Sequence, residues 1–304
     1  QKTLRYCQEN FGRYNFDHLR IAEVPSHWPF GGFAHPGMIS MTEDKLYLSD
    51  QRDSETFDLV AKRTIHEVAH QWWGHTLSSK PVAGSSLFVE GLAKYTEAVV
   101  LEKTYGPSAV FTLVEDARSR YFFGRTYEKT VEPALYQVAG QNYISYGKAL
   151  NVLLALKDLI GEAQVNQVLK TLSDRHRKSV EFKAHTLELL NEIYRVSPEV
   201  YHPLINDWFK KVITYDLEIT KSSVRALDDG TYEVTATIKA HRYETLESGE
   251  KQEIGFNEPI KIGVFEQHPS QVFKDTEILY YESDIIHQDL NQVKMIVSKK
   301  PKFI

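Results

Sequence analysis

The stretch His66-Glu67-Val68-Ala69-His70 combines residue types that could bind a metal ion and use it for hydrolysis. In a helix, residues four apart lie one turn apart on the same face, so the two imidazoles could share one tetrahedral metal ion. Glu67, one position further round, would lie near that ion without binding it, where a base acting on the metal's water must be. A chance grouping of two histidines and an acid is the alternative.

The segment that carries this motif has the pattern of a helix buried on one side. Apolar residues recur along it at intervals of three and four, so the histidines can face a cleft while the other side packs in the core. We expect this helix to run to about Trp73, because Gly74 favours a helix end. Three upstream residues are candidate N-caps, namely Asp50, Asp53 and Ser54.

A third ligand candidate, Glu90, lies on a second predicted helix over residues 88–101. The loop before it, residues 81–86, contains proline, glycine and serine and lets the second helix return across the first. The ligands His66, His70 and Glu90 would leave one position of a tetrahedral Zn²⁺ open for water, as in catalytic rather than structural zinc sites. The sequence thus predicts one catalytic Zn²⁺ per chain.

Composition and charge exclude several classes of function. The 304 residues include 42% hydrophobic and 25% charged residues, as in ordinary soluble proteins, and could form two or three domains. A net charge of −5 without a long basic block makes nucleic acid an unexpected partner. The single cysteine, Cys7, can form neither an internal disulfide nor a cysteine-rich metal site.

The ends of the sequence bear on its origin. No run is apolar over the length needed to cross a bilayer, and the first residues do not resemble a signal peptide. The chain also lacks an initiator methionine. We therefore expect a soluble piece of a longer protein, and the compartment and oligomeric state remain open.

Periodicity predicts helices first and strands last. Helical patterns cover residues 1–10, 108–122, 143–160, 162–175, 185–196 and 199–212. Near residue 213 the period becomes two, and strands are predicted over 231–240, 251–256, 260–265, 277–281 and 292–297, with Asp229-Gly230 as a hairpin turn. This last part is predicted to be a separate all-β domain, a small sandwich.

A glycine pair, Gly31-Gly32, lies between two further predicted strands, residues 19–25 and 38–41. Such a pair beside a strand is usually a turn or a bulge. Its functional alternative is a backbone edge left open, with which a bound peptide could pair as an extra strand.

These motifs resemble those of the aminopeptidase N family of zinc metallopeptidases, the gluzincins, which includes leukotriene hydrolase. The run H-E-V-A-H-Q-W-W-G matches that family's H-E-x-x-H-Q-W-[FW]-G, and residues 89–97 resemble its N-E-G-x-A-x-Y-x-E. Tyr146-Gly147-Lys148-Ala149 stands where the family has Y-E-K-G. The resemblance covers roughly residues 1–212.

The resemblance implies an α+β fold in three parts. A thermolysin-like zinc peptidase catalytic region would cover residues 1–125, an α-helical region contributing the catalytic tyrosine would cover 126–212, and the β-sandwich domain would cover 213–304. The last part is similar to the domain that follows the peptidase in bacterial proteins fused to a transporter-like permease. That similarity implies an integral membrane parent with a membrane-embedded permease segment.

The resemblance also assigns roles to individual residues. Glu67 would be the general base, and the phenol of Tyr146 would donate a hydrogen bond to the oxyanion of the tetrahedral intermediate. An ordinary core or surface aromatic is the alternative for Tyr146, because the chain has 17 tyrosines. Glu97, two turns after Glu90, would orient a histidine ligand, and a solvated surface glutamate is its alternative.

Two departures from the family pattern matter. Nineteen residues separate His70 from Glu90, one more than is usual, and the connecting loop can absorb the difference. The family's substrate-binding G-[AG]-M-E-N segment falls on Gly31, Gly32, Phe33, Ala34 and His35. Ala34 thus stands where the family's glutamate grips the α-ammonium group of the substrate.

The function expected from the sequence is that of a zinc-dependent metallopeptidase acting on peptides, with aminopeptidase action as the family implies. Because the amine-binding carboxylate is missing, an endo-acting oligopeptidase is one alternative. A catalytically idle zinc- or peptide-binding module of a larger membrane protein is the other. Such a module would need neither the general base Glu67 nor the oxyanion donor Tyr146.

Overall fold

A computed structural model describes residues 1–50, 52, 57–177, 183–269 and 278–304. Up to residue 126 the elements are α1 (Lys2–Phe11), β1 (Arg20–Val24), β2 (Gly32–His35), β3 (Met38–Thr42), α2 (Leu59–Ala69), α3 (Leu92–Tyr105) and α4 (Ser108–Thr126). The helices α5 (Ala149–Ile160), α6 (Glu162–His176), α7 (Thr186–Val196) and α8 (His202–Lys210) follow. Two π-helical segments, Leu87–Gly91 and Tyr143–Lys148, lead into α3 and α5. The fold is α+β.

The strands β1, β2 and β3 form a small sheet in the order β1-β3-β2. β1 is parallel to β3, and β2 is antiparallel to it, with Phe33 opposite Ser40. The Gly31-Gly32 pair therefore leads into a strand at the edge of this sheet. The outer edge of β2 pairs with no other strand of the described ranges.

The motif helix α2 differs at both ends from the sequence prediction. Its N-cap is Asp58, whose side chain accepts a hydrogen bond from the Ala61 N–H at 2.8 Å, and not Asp50. Asp53 and Ser54 lie outside the described residues. The helix ends at Ala69 instead of Trp73, because the N–H groups of Gln71 and Trp72 bond three residues back in tight turns.

The C-terminal region consists of β4 (Val212–Ala226), β5 (Tyr232–Thr245), β6 (Lys251–Ile254), β7 (Asn257–Phe265), β8 (Ile278–His287) and β9 (Asp289–Val297). β5 pairs with β4 on one side and with β6 and β9 on the other, while β7 pairs with β8. Buried side chains of β5 and β9 meet those of β7 and β8 in one hydrophobic core. The prediction of helix up to residue 212 was wrong at its end, since β4 begins at Val212.

A larger hydrophobic core lies among the helices, and the metal-motif helix is part of it. Trp72 and Trp73 are fully buried there. The indole N–H of Trp73 donates to Thr96 Oγ1 at 2.7 Å, which fixes the end of α2 against α3. None of the helices in the described ranges combines the length and the apolar composition that a bilayer crossing requires.

Candidate metal and active site

Three side chains from two helices converge on one point. His66 Nε2 lies 3.2 Å from His70 Nε2, and Glu90 Oε2 lies 3.4 Å from the first and 3.5 Å from the second. The two histidines come from the end of α2, and Glu90 comes from the π-helical segment before α3. Within the described ranges this is the one cluster of three or more histidine, cysteine or acidic side chains that could hold a metal ion.

The size of this triangle fits a tetrahedral zinc ion. Ligand atoms about 2.05 Å from a tetrahedral Zn²⁺ lie about 3.3 Å from one another. The three separations between the ligand atoms, 3.2, 3.4 and 3.5 Å, lie close to that distance. Moreover, Glu90 Oε2 is buried and has no hydrogen-bond partner, although it faces both imidazoles. An ion bound by all three atoms would satisfy it.

The outer nitrogen of each imidazole is held by a second group. His70 Nδ1 donates to the Trp73 carbonyl at 3.0 Å, which directs Nε2 to the cluster. His66 Nδ1 lies 3.1 Å from Glu97 Oε2, without the alignment of a good hydrogen bond. Glu97 is only 1% exposed, so it is not a solvated surface glutamate. Its other oxygen accepts from Lys94 Nζ at 2.6 Å.

The charges around the cluster favour a cation. Burial by itself would lower the pKa of His66, but the carboxylates of Glu90 and Glu97 raise it to about 9. Burial opposes ionisation of Glu97 as well, yet Lys94 and His66 bring its pKa down to about 2. Against the effect of burial, His66 and His70 likewise lower the pKa of Glu90. Both carboxylates are therefore ionised at neutral pH, and the same field that holds a proton on His66 would attract a metal ion.

Glu67 does not belong to the ligand triangle but lies against the edge strand. A Cβ atom placed on Gly32 would be 2.5 Å from Glu67 Oε1, so the strand backbone passes directly over this carboxylate. Glu67 is 9% exposed, and burial raises its pKa above the ordinary value. A general base is most effective when its pKa is near the working pH, and a raised pKa brings Glu67 closer to that condition.

The side chain of Tyr146 reaches the cluster from the second π-helical segment. Its ring stacks on that of His66, with 6.0 Å between ring centroids, and the Arg120 guanidinium lies 5.7 Å from its centroid. Burial and the neighbouring carboxylates of Glu90 and Glu67 raise the pKa of Tyr146. The phenol is therefore protonated at neutral pH and can donate a hydrogen bond.

Residues 1–208 match the model of the peptidase family M1 domain. The chain belongs to peptidase family M1. Endoplasmic reticulum aminopeptidase 2 of Homo sapiens is 27% identical to it in an alignment of 194 residues that covers 59% of this chain and 20% of that protein. Probable aminopeptidase 2 of Sulfurisphaera tokodaii is 21% identical in an alignment of 221 residues that covers 69% of this chain and 27% of that protein. The chain thus spans between a fifth and a little more than a quarter of these relatives' length.

Two solved structures share the fold. Leukotriene A4 hydrolase of Saccharomyces cerevisiae superposes with a TM-score of 0.54 at 18% identity, over 68% of this chain and 34% of that one. The M1 zinc metallopeptidase of Deinococcus radiodurans superposes with a TM-score of 0.50 at 19% identity, over 69% of this chain and 43% of that one. At these identities the likeness concerns the fold.

Within this M1 domain, two residues not expected from the sequence to have a role connect the segment after α2 to the edge strand. Gln71 is fully buried; its amide donates to the His35 carbonyl and accepts from the Gly37 N–H, both at 2.9 Å. His75 Nε2 donates to the Ala34 carbonyl at 3.1 Å. Both lie just beyond the second histidine, and that proximity was the available signal. Phe33 is 45% exposed on the same strand, and Ala34 is buried.

Proposed function

We propose that this chain is the catalytic part of a zinc-dependent metallopeptidase, with His66, His70 and Glu90 as the zinc ligands. The observation that carries the proposal is the triangle of ligand atoms, 3.2 to 3.5 Å on each side, next to a buried carboxylate and an open strand edge. The M1 relatives named aminopeptidases and the M1 zinc metallopeptidase of similar fold support it.

In this proposal Glu67 and Tyr146 perform the proton transfer and the charge stabilisation. Zn²⁺, when bound, lowers the pKa of a water molecule and polarises the scissile carbonyl. Glu67 takes the proton of the attacking water and later passes it to the leaving amine. The phenol of Tyr146 donates a hydrogen bond to the oxyanion. Glu97 holds His66 in place, which makes it a positioning residue.

The edge strand is proposed to hold the substrate. A peptide lying along β2 in extended form would pair with its free backbone edge, and residues 31–35 would line its path. Because Gly32 adjoins Glu67, a peptide bound there would place a scissile bond beside the general base. Phe33, partly exposed, would contact an apolar side chain of the peptide.

Aminopeptidase action is the first choice, and endopeptidase action is the second. The family membership and the relatives' names favour the first. Endopeptidase action is favoured by Ala34, because alanine has no carboxylate and stands where the family resemblance implies an amine-binding glutamate. Aminopeptidases depend on the free α-amine, whereas endopeptidases do not.

The test compares matched peptides with free and N-acetylated amino termini, with product masses identifying the bond that is cleaved. Aminopeptidase action predicts release of the first residue from free peptides and no cleavage of acetylated ones. Equal cleavage of both, at internal bonds, would establish the endo-acting alternative. An absence of cleavage by the zinc-loaded protein in both sets would contradict the peptidase proposal itself.

We also propose the three-part division of the chain. Two separate hydrophobic cores, one among residues 6–209 and one among 234–297, support a division near residue 212. The boundary at 125/126 is proposed from the sequence.

A permease segment in a longer parent is supported by the resemblance of residues 213–304. Finding the endogenous full-length protein in a carbonate-washed membrane fraction would agree with it, and finding it in the supernatant would not.

A further inference from the structure

A cavity of about 660 Å³ lies where α4 and α5 meet β4 and β7, away from the metal ligands. Its volume is within the range of sites that bind small molecules, which is about 300 to 1,000 Å³. Much of its wall is apolar and comes from both regions of the chain: Phe122, Val152, Leu159, Trp208, Ile213 and Ile260.

Helix α4 separates this cavity from the metal cleft. Arg118, Tyr121 and Phe122 line the cavity and, at about 100° per residue, share one face of α4. Arg120 projects from nearly the opposite face and lies against the ring of Tyr146. A molecule in the cavity would therefore be on the far side of α4 from the proposed peptide path.

Unpaired polar atoms mark this cavity as they mark the metal site. Among the described residues, four buried side-chain polar atoms have no hydrogen-bond partner. Two belong to the metal cluster, His66 Nδ1 and Glu90 Oε2, and the other two are Asn151 Oδ1 and Thr214 Oγ1. Both Asn151 and Thr214 line the cavity, from opposite regions of the chain, and Thr214 is only 6% exposed. Buried polar groups without partners cost stability, so each calls for an explanation.

The charges of the lining point to a ligand without net charge. Three lining residues are cationic and three are anionic: Arg118, Lys148, Lys261, Asp158, Asp216 and Glu258. Lys261 and Asp158 are paired at 2.6 Å, and Lys148 is paired with the buried Glu132 at 3.1 Å. The lining carries equal numbers of positive and negative side chains, which favours neither an anion nor a cation.

We propose that this cavity binds a neutral, largely apolar small molecule that carries a hydrogen-bond donor. The donor pairs with Thr214 Oγ1 after a rotation of that side chain. The apolar body fills the space between α5 and β4. The site is independent of the proposed peptidase activity.

The test uses N-phenyl-1-naphthylamine, a neutral apolar fluorophore with one N–H donor, titrated into the complete chain. We expect saturable binding, reported by increased fluorescence. Ala155→Trp fills the cavity and should weaken binding at least tenfold, whereas Ala163→Trp, on the exposed side of α6, should leave it unchanged. No saturable binding by the unaltered chain, or equal binding by Ala155→Trp with a native melting temperature, would overturn the proposal.

A second variant tests the polar atom without adding bulk. Thr214→Val replaces the unpaired hydroxyl with a methyl group of similar size. It should weaken binding of the fluorophore about three- to tenfold, the usual effect of losing one hydrogen bond. The melting temperature of the free variant should not fall, because no hydrogen bond within the protein is lost. Unchanged affinity in Thr214→Val would overturn the role of this hydroxyl.

Discussion

Gly32 and Glu67 lie so close together that a single methyl group should disturb catalysis. The Cβ of Gly32→Ala would be 2.5 Å from Glu67 Oε1, and the carboxylate would have to move. A displacement of about 1 Å at a catalytic group can reduce the rate about a hundredfold. We therefore expect kcat/KM to fall by about that factor while the zinc content stays at one per chain.

Gly255, between β6 and β7, provides the control for this prediction. A Cβ on Gly255 would have no atom within 4 Å. Gly255→Ala should therefore retain nearly full activity. If both variants hydrolysed peptides equally well, the close approach of Gly32 to Glu67 would not be important for activity.

Removing the phenol of Tyr146 tests the other proposed catalytic group. Tyr146→Phe keeps the ring that stacks on His66 and deletes the donor. Loss of one oxyanion donor typically costs about 100- to 1,000-fold in kcat, with little change in substrate binding. Tyr143→Phe, in the same segment but bonded to Glu128, is the control and should remain active. A Tyr146→Phe enzyme with normal kcat would show that the phenol is a packing residue.

At the scale of elements, the segment that carries Tyr146 is positioned by its contact with α4. A Cβ on Gly147 would lie 2.8 Å from the Ala117 carbonyl oxygen and 3.1 Å from the Tyr121 nitrogen, both backbone atoms of α4. Next to it, Lys148 is paired with the buried Glu132, which also accepts from the Tyr121 hydroxyl at 2.9 Å. The segment therefore cannot shift without disturbing α4.

Gly147→Ala should consequently reduce both stability and activity. Overpacking of this kind typically costs about 1 to 3 kcal/mol of unfolding free energy. We expect a loss in that range from urea denaturation, together with a reduced kcat at an unchanged zinc content. Gly255→Ala, where a Cβ has no atom within 4 Å, should leave both quantities close to those of the unaltered chain. Equal stability of the two variants would contradict the tight contact.

Geometry that depends on local spacing could be predicted from the sequence, whereas contacts between distant segments could not. The spacing of His66 and His70 places both on one face of α2 whatever surrounds them. The end of α2, in contrast, depends on turns held by Trp73 and Thr96, and the closeness of Gly32 to Glu67 depends on where β2 packs. Neither contact leaves a periodic signal.

The strand β4 shows a different limit. Residues 216–226 are exposed on both faces, so they lack the alternation by which a half-buried strand is recognised. A β-bulge between Ile219 and Lys221 also interrupts the pattern.

The cavity-lining atoms of Asn151 and Thr214 were likewise beyond prediction, because whether a buried polar atom has a partner depends on the whole structure.

At the scale of the whole molecule, a buried polar network joins the helical region to the β region. The Trp208 indole donates to the Tyr215 hydroxyl at 2.8 Å, which donates to Glu258 Oε2 at 3.0 Å. Arg242 binds the same carboxylate and lies 3.3 Å from Asp207 on α8. The Glu258 side chain is 4% exposed, so Arg242 compensates a charge that solvent hardly reaches.

Arg242→Ala should therefore destabilise the molecule strongly. Removing one partner of a buried ion pair typically costs about 3 to 5 kcal/mol, because the other charge is left buried. Arg225→Ala is the matched control: the Arg225 side chain is 68% exposed beside Glu233, and such surface pairs contribute about 1 kcal/mol or less. Urea denaturation measures both. Similar small losses for the two variants would mean that the network does not join the regions energetically.

The three-ligand cluster and Glu67 together are proposed to form a hydrolytic zinc site. Zinc content and peptide hydrolysis, determined on the same samples of Glu67→Gln and of the unaltered chain, test this proposal. We expect about one zinc per chain in both proteins and hydrolysis in the unaltered chain alone. Zinc bound by both and peptides cleaved by neither would contradict the proposal and leave a catalytically idle zinc-binding module.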